Sequence, residues 1–77
     1  MTILVICLSR DPHRQSEALR AALGLTLRGA RVEVVVEEPL LTPLAQRSAE
    51  TLRSFGHVVG ADLADALPRA TAVEVWA

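Results

Sequence analysis

The sequence contains no lysine, asparagine or tyrosine, and only one cysteine, one tryptophan and one phenylalanine among 77 residues. Each scarcity excludes something. A single cysteine, Cys7, rules out an internal disulfide. A metal cluster would have to rest on two separated histidines and scattered carboxylates, so no metal site is expected. No glycine precedes Gly24, so neither the glycine-rich dinucleotide fingerprint nor the P-loop can be written on this chain, and no cofactor is expected. Eight arginines stand against nine acidic residues, a formal charge of −1, which gives no bulk attraction to nucleic acid or anionic lipid. The longest unbroken apolar run, Ile3 to Leu8, is far shorter than the roughly 20 residues of a membrane-spanning helix, and no basic segment precedes it as in a signal peptide. The expectation is a cytoplasmic protein with neither a membrane nor a nucleic-acid partner.

What is present suits one small domain covering residues 1–77, with 51% hydrophobic side chains and no repeats, low-complexity tracts or linkers. A domain of this size buries only about 60% of the surface its unfolded chain exposes, so a homo-oligomer is expected.

Thr2 to Leu8 is continuously apolar and rich in branched residues, the pattern of a strand covered on both faces. Asp11 and Pro12 then supply a cap and a first-turn proline for a helix. Its apolar stripe is Ala18, Leu19, Ala22, Leu23, Thr26 and Leu27, and Gly29 stops it. Arg31 to Glu37 alternates, with Val32, Val34 and Val36 on one side and Arg31, Glu33 and Glu37 on the other, which reads as a half-exposed strand. Thr42 and Pro43 repeat the cap-then-proline signal before a second helix with the stripe Leu44, Ser48, Leu52, Phe55, closed by Gly56. A brief strand at His57–Val59, a short helix from Ala61 to Leu67 stopped by Pro68, and an alternating strand from Ala72 to Trp76 complete the order.

The alternation βαβαβαβ with short loops predicts a three-layer α/β fold, with a four-stranded parallel sheet and three helices. The uniformly apolar first strand belongs inside, and the alternating second and fourth strands read as edges. The predicted strand order is therefore 2-1-3-4, a truncated flavodoxin-like sheet, with the first helix on one face and the other two opposite. A longer fold of this kind would add a closing helix, whereas this sequence stops at Ala77. The sheet near Glu74 or Trp76 is expected to lack helical cover and to be buried by another subunit.

Ligands of open parallel sheets bind outside the carboxyl ends of the strands where the strand order reverses, predicted here between strands one and three. The loop after the first strand offers Ser9, Arg10, His13 and Arg14 at a helix N-terminus, a set able to hold a small anion. The same residues can equally serve as caps and solvated side chains. Cys7, one residue before the end of the strand, is a candidate nucleophile if it points toward that loop, and a small buried hydrophobe if it does not. Glu37, Glu38 and Asp62 also reach the carboxyl rim, whereas His57 begins the third strand at the opposite end. Ser9, His57 and an acid supply the residue types of a hydrolase triad without a nucleophile-elbow motif.

The apolar first strand, the short polar loop and the segment SEALRAALGLTLRGARVEVVVEE, Ser16 to Glu38, resemble the opening of the DsrE-like (DsrE/TusD) sulfur-relay family. There a strand is followed by an alanine- and leucine-rich helix ending in glycine and a second strand of valines. The resemblance covers about the first half of the chain and, beyond it, the order of elements. It implies a DsrE-like fold, a cytoplasmic oligomer and a sulfur-transfer protein partner, with persulfide sulfur carried in active members on a cysteine in the loop after a later strand. The corresponding stretch here, His57 to Asp62, has no cysteine, and Cys7 does not match the carrier position. The expectation is a non-catalytic accessory or interaction subunit. A persulfide carrier using Cys7, with Arg10 and His13 stabilising the thiolate, and a small-anion-binding module at the first loop are the alternatives.

Overall fold

Branched and apolar residues from Thr2 to Cys7 form β1, and the computed structural model describes every residue from Met1 to Ala77. Asp11 caps α1, Pro12–Thr26, its side chain accepting the Arg14 amide proton at 2.9 Å, and Gly29 ends the turn beyond at φ 79°, a conformation costly for side-chain-bearing residues. Arg31–Val36 is β2, and Thr42 caps α2, Pro43–Ser54, by accepting from the Ala45 amide at 3.0 Å. Val58–Val59 is β3, Asp62 caps the single turn α3, Leu63–Ala66, a 3₁₀ turn covers Leu67–Arg69, and Ala72–Trp76 is β4.

The four strands form one parallel sheet between helical layers, as the element order predicts. The strand order differs from the expected 2-1-3-4: it is β3-β2-β1-β4. β3 joins the far side of β2, with Glu33 opposite Val58 and Val34 opposite Val59, rather than lying between β1 and β4. β4 is an edge as expected, whereas β2 is not.

This order changes where the helices lie. Right-handed crossovers that step twice in one direction put α1 and α2 on the same face, and only the return from β3 to β4 sends α3 to the other. The core reflects this. Val5, Val32 and Val34 pack under Leu19 and Ala22 of α1 and Ala45, Ala49 and Leu52 of α2, whereas Leu4 and Ile6 meet Ala66 of α3. The buried stripe of α2 is Ala45, Ala49 and Leu52: Leu52 faces inward as expected, Ala45 and Ala49 take the places expected of Leu44 and Ser48, and Leu44 and Phe55 are exposed. Alanines at the contact let two helices and a sheet approach closely, which leucine at those positions would prevent. Leu27, expected at the end of the α1 stripe, lies past the helix and is exposed.

β2 was expected to show one face to water, yet Glu33 is 2% exposed. Its carboxylate accepts two hydrogen bonds from one guanidinium: Arg69 Nη2 at 2.7 Å and Arg69 Nε at 3.2 Å. Arg69 also reaches Asp65 at 3.1 Å. The fork holds the Glu33 carboxyl below its ordinary value, its hydrogen bonds outweighing the effect of burial, and it raises the Arg69 value further. A polar residue on an inner strand is therefore satisfied by the element that crosses beneath it.

Candidate functional site

The chain turns back on itself between β1 and β4, so the crevice that strand reversal creates lies there rather than between β1 and β3. The loop from Leu8 to Asp11 still borders it, facing the end of β4. Each polar side chain of that loop is held by the protein itself. The Ser9 hydroxyl accepts from the Asp11 amide at 3.1 Å. Arg10 donates to the Glu37 carbonyl, 27 positions away, at 3.0 Å, tying the β1–α1 loop to the end of β2. Arg14 donates from Nε to the Ala77 carbonyl at 2.8 Å and lays its guanidinium over the Trp76 ring, 5.6 Å from the centroid. His13 remains exposed and lies 3.9 Å from Glu17, one helical turn on.

Cys7 is 4% exposed, its Sγ 3.8 Å from the Ser9 carbonyl oxygen. By the alternation of β1 it shares a face with Val5, and its thiol turns to the backbone of the loop that follows, where it is enclosed rather than open to solvent. A thiol so enclosed meets a sulfur donor only if the residues around it move.

The remaining candidates lie apart. His57 Nδ1 accepts from the Val32 amide at 3.1 Å, at the amino end of β2, so Ser9 and His57 sit at opposite ends of the sheet and form no triad. Glu38 meets Arg53 at 3.4 Å, and Asp62 accepts from the Asp65 amide as the α3 cap. No group of His, Cys, Asp and Glu side chains has the geometry of a metal site.

The largest surface hollow, about 450 Å³, runs between α1 and α2 and is lined by His13, Glu17, Arg20, Thr42 and Ser48 among others. Only His13 of the predicted residues borders it. Sequence reasoning missed Gln15, which is fully buried: its Oε1 accepts from the Leu41 amide at 2.7 Å, while its Nε2 has no partner. The spacing of 15 with 18, 19 and 22 marks it as inward-facing, a signal its polarity obscures. The other residues missed are Trp76 and Ala77, whose roles under Arg14 depend on strand order.

No helix is long and apolar enough to cross a membrane. Comparison of the chain with family models, curated proteins and solved structures returns no match, so the arrangement is described by its own geometry: an α/β domain whose carboxyl-rim arginines are bound to its own carbonyl groups.

Proposed function

We propose that this chain is a cytoplasmic accessory subunit of the kind found in sulfur-relay assemblies, working by association rather than by covalent chemistry of its own. The observation that carries this reading is a contrast in exposure. The one thiol is enclosed at 4% exposure, while Leu8, Leu67, Val73 and Val75 are open to solvent at 63%, 49%, 47% and 57%. Apolar surface left open beside an enclosed nucleophile suits a partner-binding role better than a sulfur carrier. Self-association and a sulfur-transfer partner both fit it.

The test is the intact mass of the protein before and after incubation with a small-molecule persulfide, with Cys7→Ser alongside. The reading predicts no change in either protein. A gain of one sulfur atom that Cys7→Ser abolishes would make the chain a carrier and overturn it.

A further inference from the structure

The outer edge of β4 carries its own complement. β4 pairs with β1 on one side only, at the end of the sheet. The Trp76 carbonyl accepts from the Leu8 amide at 2.8 Å, so the main chain of Trp76 is turned toward β1. Alternation turns Glu74 and Ala72 the same way, and leaves the N–H and C=O groups of Val73 and Val75 pointing off the sheet. The two valine side chains share the face of their register partners Leu4 and Ile6, and both are exposed. Glu74 and Trp76 share the opposite face, beneath α1, where the Trp76 indole N–H donates to Glu74 Oε1 at 3.0 Å and Arg14 covers the ring.

We infer that β4 pairs with β4 of a second copy, antiparallel about a two-fold axis through Val75, to make one continuous eight-stranded sheet. The inference deepens the association reading and rests on it in taking the open apolar side as an interface. Charge chooses the occupant, and charge together with the hydrogen bonds already made chooses the register. With Glu74 on the axis, two carboxylates would stand directly opposite one another, which is destabilising. With Val73 on the axis, Val75 would have to pair with Thr71 of the second copy, whose amide is already donated to the Thr2 carbonyl at 2.8 Å. With Val75 on the axis, Val73 meets Ala77, whose carbonyl accepts from Arg14 Nε but keeps a second lone pair, and Glu74 faces Trp76 of the second copy and the Arg14 guanidinium that lies on its ring. The symmetry supplies that opposition of charge twice, and one strand provides both the acid and the cation-bearing indole. This makes the surface complementary to itself.

The experiment is light scattering of the full chain across a concentration series. Wild type is expected to move from one chain mass of 8.3 kDa toward twice that value as concentration rises. Val75→Pro removes an N–H that no strand within the monomer uses, so it should keep the fold by circular dichroism and stay at one chain mass. Glu74→Arg and Arg14→Glu should each abolish the dimer, and the double variant Glu74→Arg/Arg14→Glu should regain it. That charge exchange decides the matter should Val75→Pro not fold. A monomer at every concentration, a dimer that Val75→Pro leaves intact, or a charge exchange without recovery would overturn the inference. So would a dimer lost only on Phe55→Ser, which would place the contact at the exposed ends of α1 and α2. Each of these outcomes leaves the persulfide result untouched, so the two readings fail separately.

Discussion

The two edges of the sheet are finished in opposite ways. β3 is two residues long, Val34 returns its carbonyl to the amides of Gly60 and Ala61, and Arg53 donates to the Val59 carbonyl at 3.0 Å. Gly60, at φ 92°, turns the chain away from the sheet at once. β4 is five residues long, without proline, and shows two valines to solvent. Short length, an arginine over a carbonyl and an immediate turn are the usual protections of an exposed strand edge, and only β3 has them. An unprotected edge is a liability for a solitary domain and a resource for an assembly.

This contrast can be broken most forcefully from the core side. Leu52 is fully buried and packs against Val59 in the same cluster, so Leu52→Ala is expected to cost about 2–5 kcal/mol in a urea melt and to release β3 first. Val75→Ala, at dilutions where the chain is a monomer, should change stability by no more than about 0.5 kcal/mol. Equal costs at the two positions would show that β4 is covered in solution.

Asp11 sets the start of α1 and hence the place of Arg14 over Trp76. Asp11→Ala should lower stability by about 0.5–2 kcal/mol and weaken dimer formation along with it. Loss of stability without any effect on association would separate the cap from the β4 edge.

Arg69→Ala tests the inner strand between the two edges. The Glu33 carboxyl is held below its ordinary value of 4.5 in the folded protein, so the stabilisation from its pairing is present above that pH and is lost as pH falls through the lowered value. Wild type should therefore exceed Arg69→Ala in thermal stability at neutral pH, with the gap narrowing in acid. A gap that is constant with pH would show that Arg69 acts by packing alone.

The smallest effect is expected at the protected edge itself. Arg53→Met exposes the Val59 carbonyl and should cost no more than about 1 kcal/mol, read as faster hydrogen exchange at Gly60 and Ala61. Self-association through β3 in that variant would show that Arg53 guards the edge.

Much of the local structure is written locally. Asp11-Pro12 and Thr42-Pro43 start their helices where their side chains predict, whereas α3 begins at Leu63 behind its cap Asp62 instead of at Ala61, and the unbroken apolar run from Ile3 occupies an inner strand. Strand order is not legible in the sequence, because β3 contributes only two residues and a polar residue on β2 has the same pattern whether it meets solvent or a buried partner. The partner that buries Glu33, Arg69, lies 36 positions downstream, beyond the reach of any periodicity. The candidate site was hidden for the same reason. Arginines at a helix N-terminus read as ligand-binding until the carbonyl groups of Glu37 and Ala77, 27 and 63 positions from their donors, are brought beside them by the winding of the sheet. For Cys7 the residue type is visible in the sequence, whereas its enclosure against the Ser9 carbonyl depends on how the following loop folds back over the strand end.

Hydrogen exchange along β4, followed residue by residue at rising protein concentration, reads the pairing of that edge itself. The amides of Glu74 and Trp76 face β1 and should be slow throughout, whereas those of Val73 and Val75 should be fast in dilute solution and become protected as the second copy binds. Exchange at Val73 and Val75 that is fast and indifferent to concentration would show that no second copy pairs with β4.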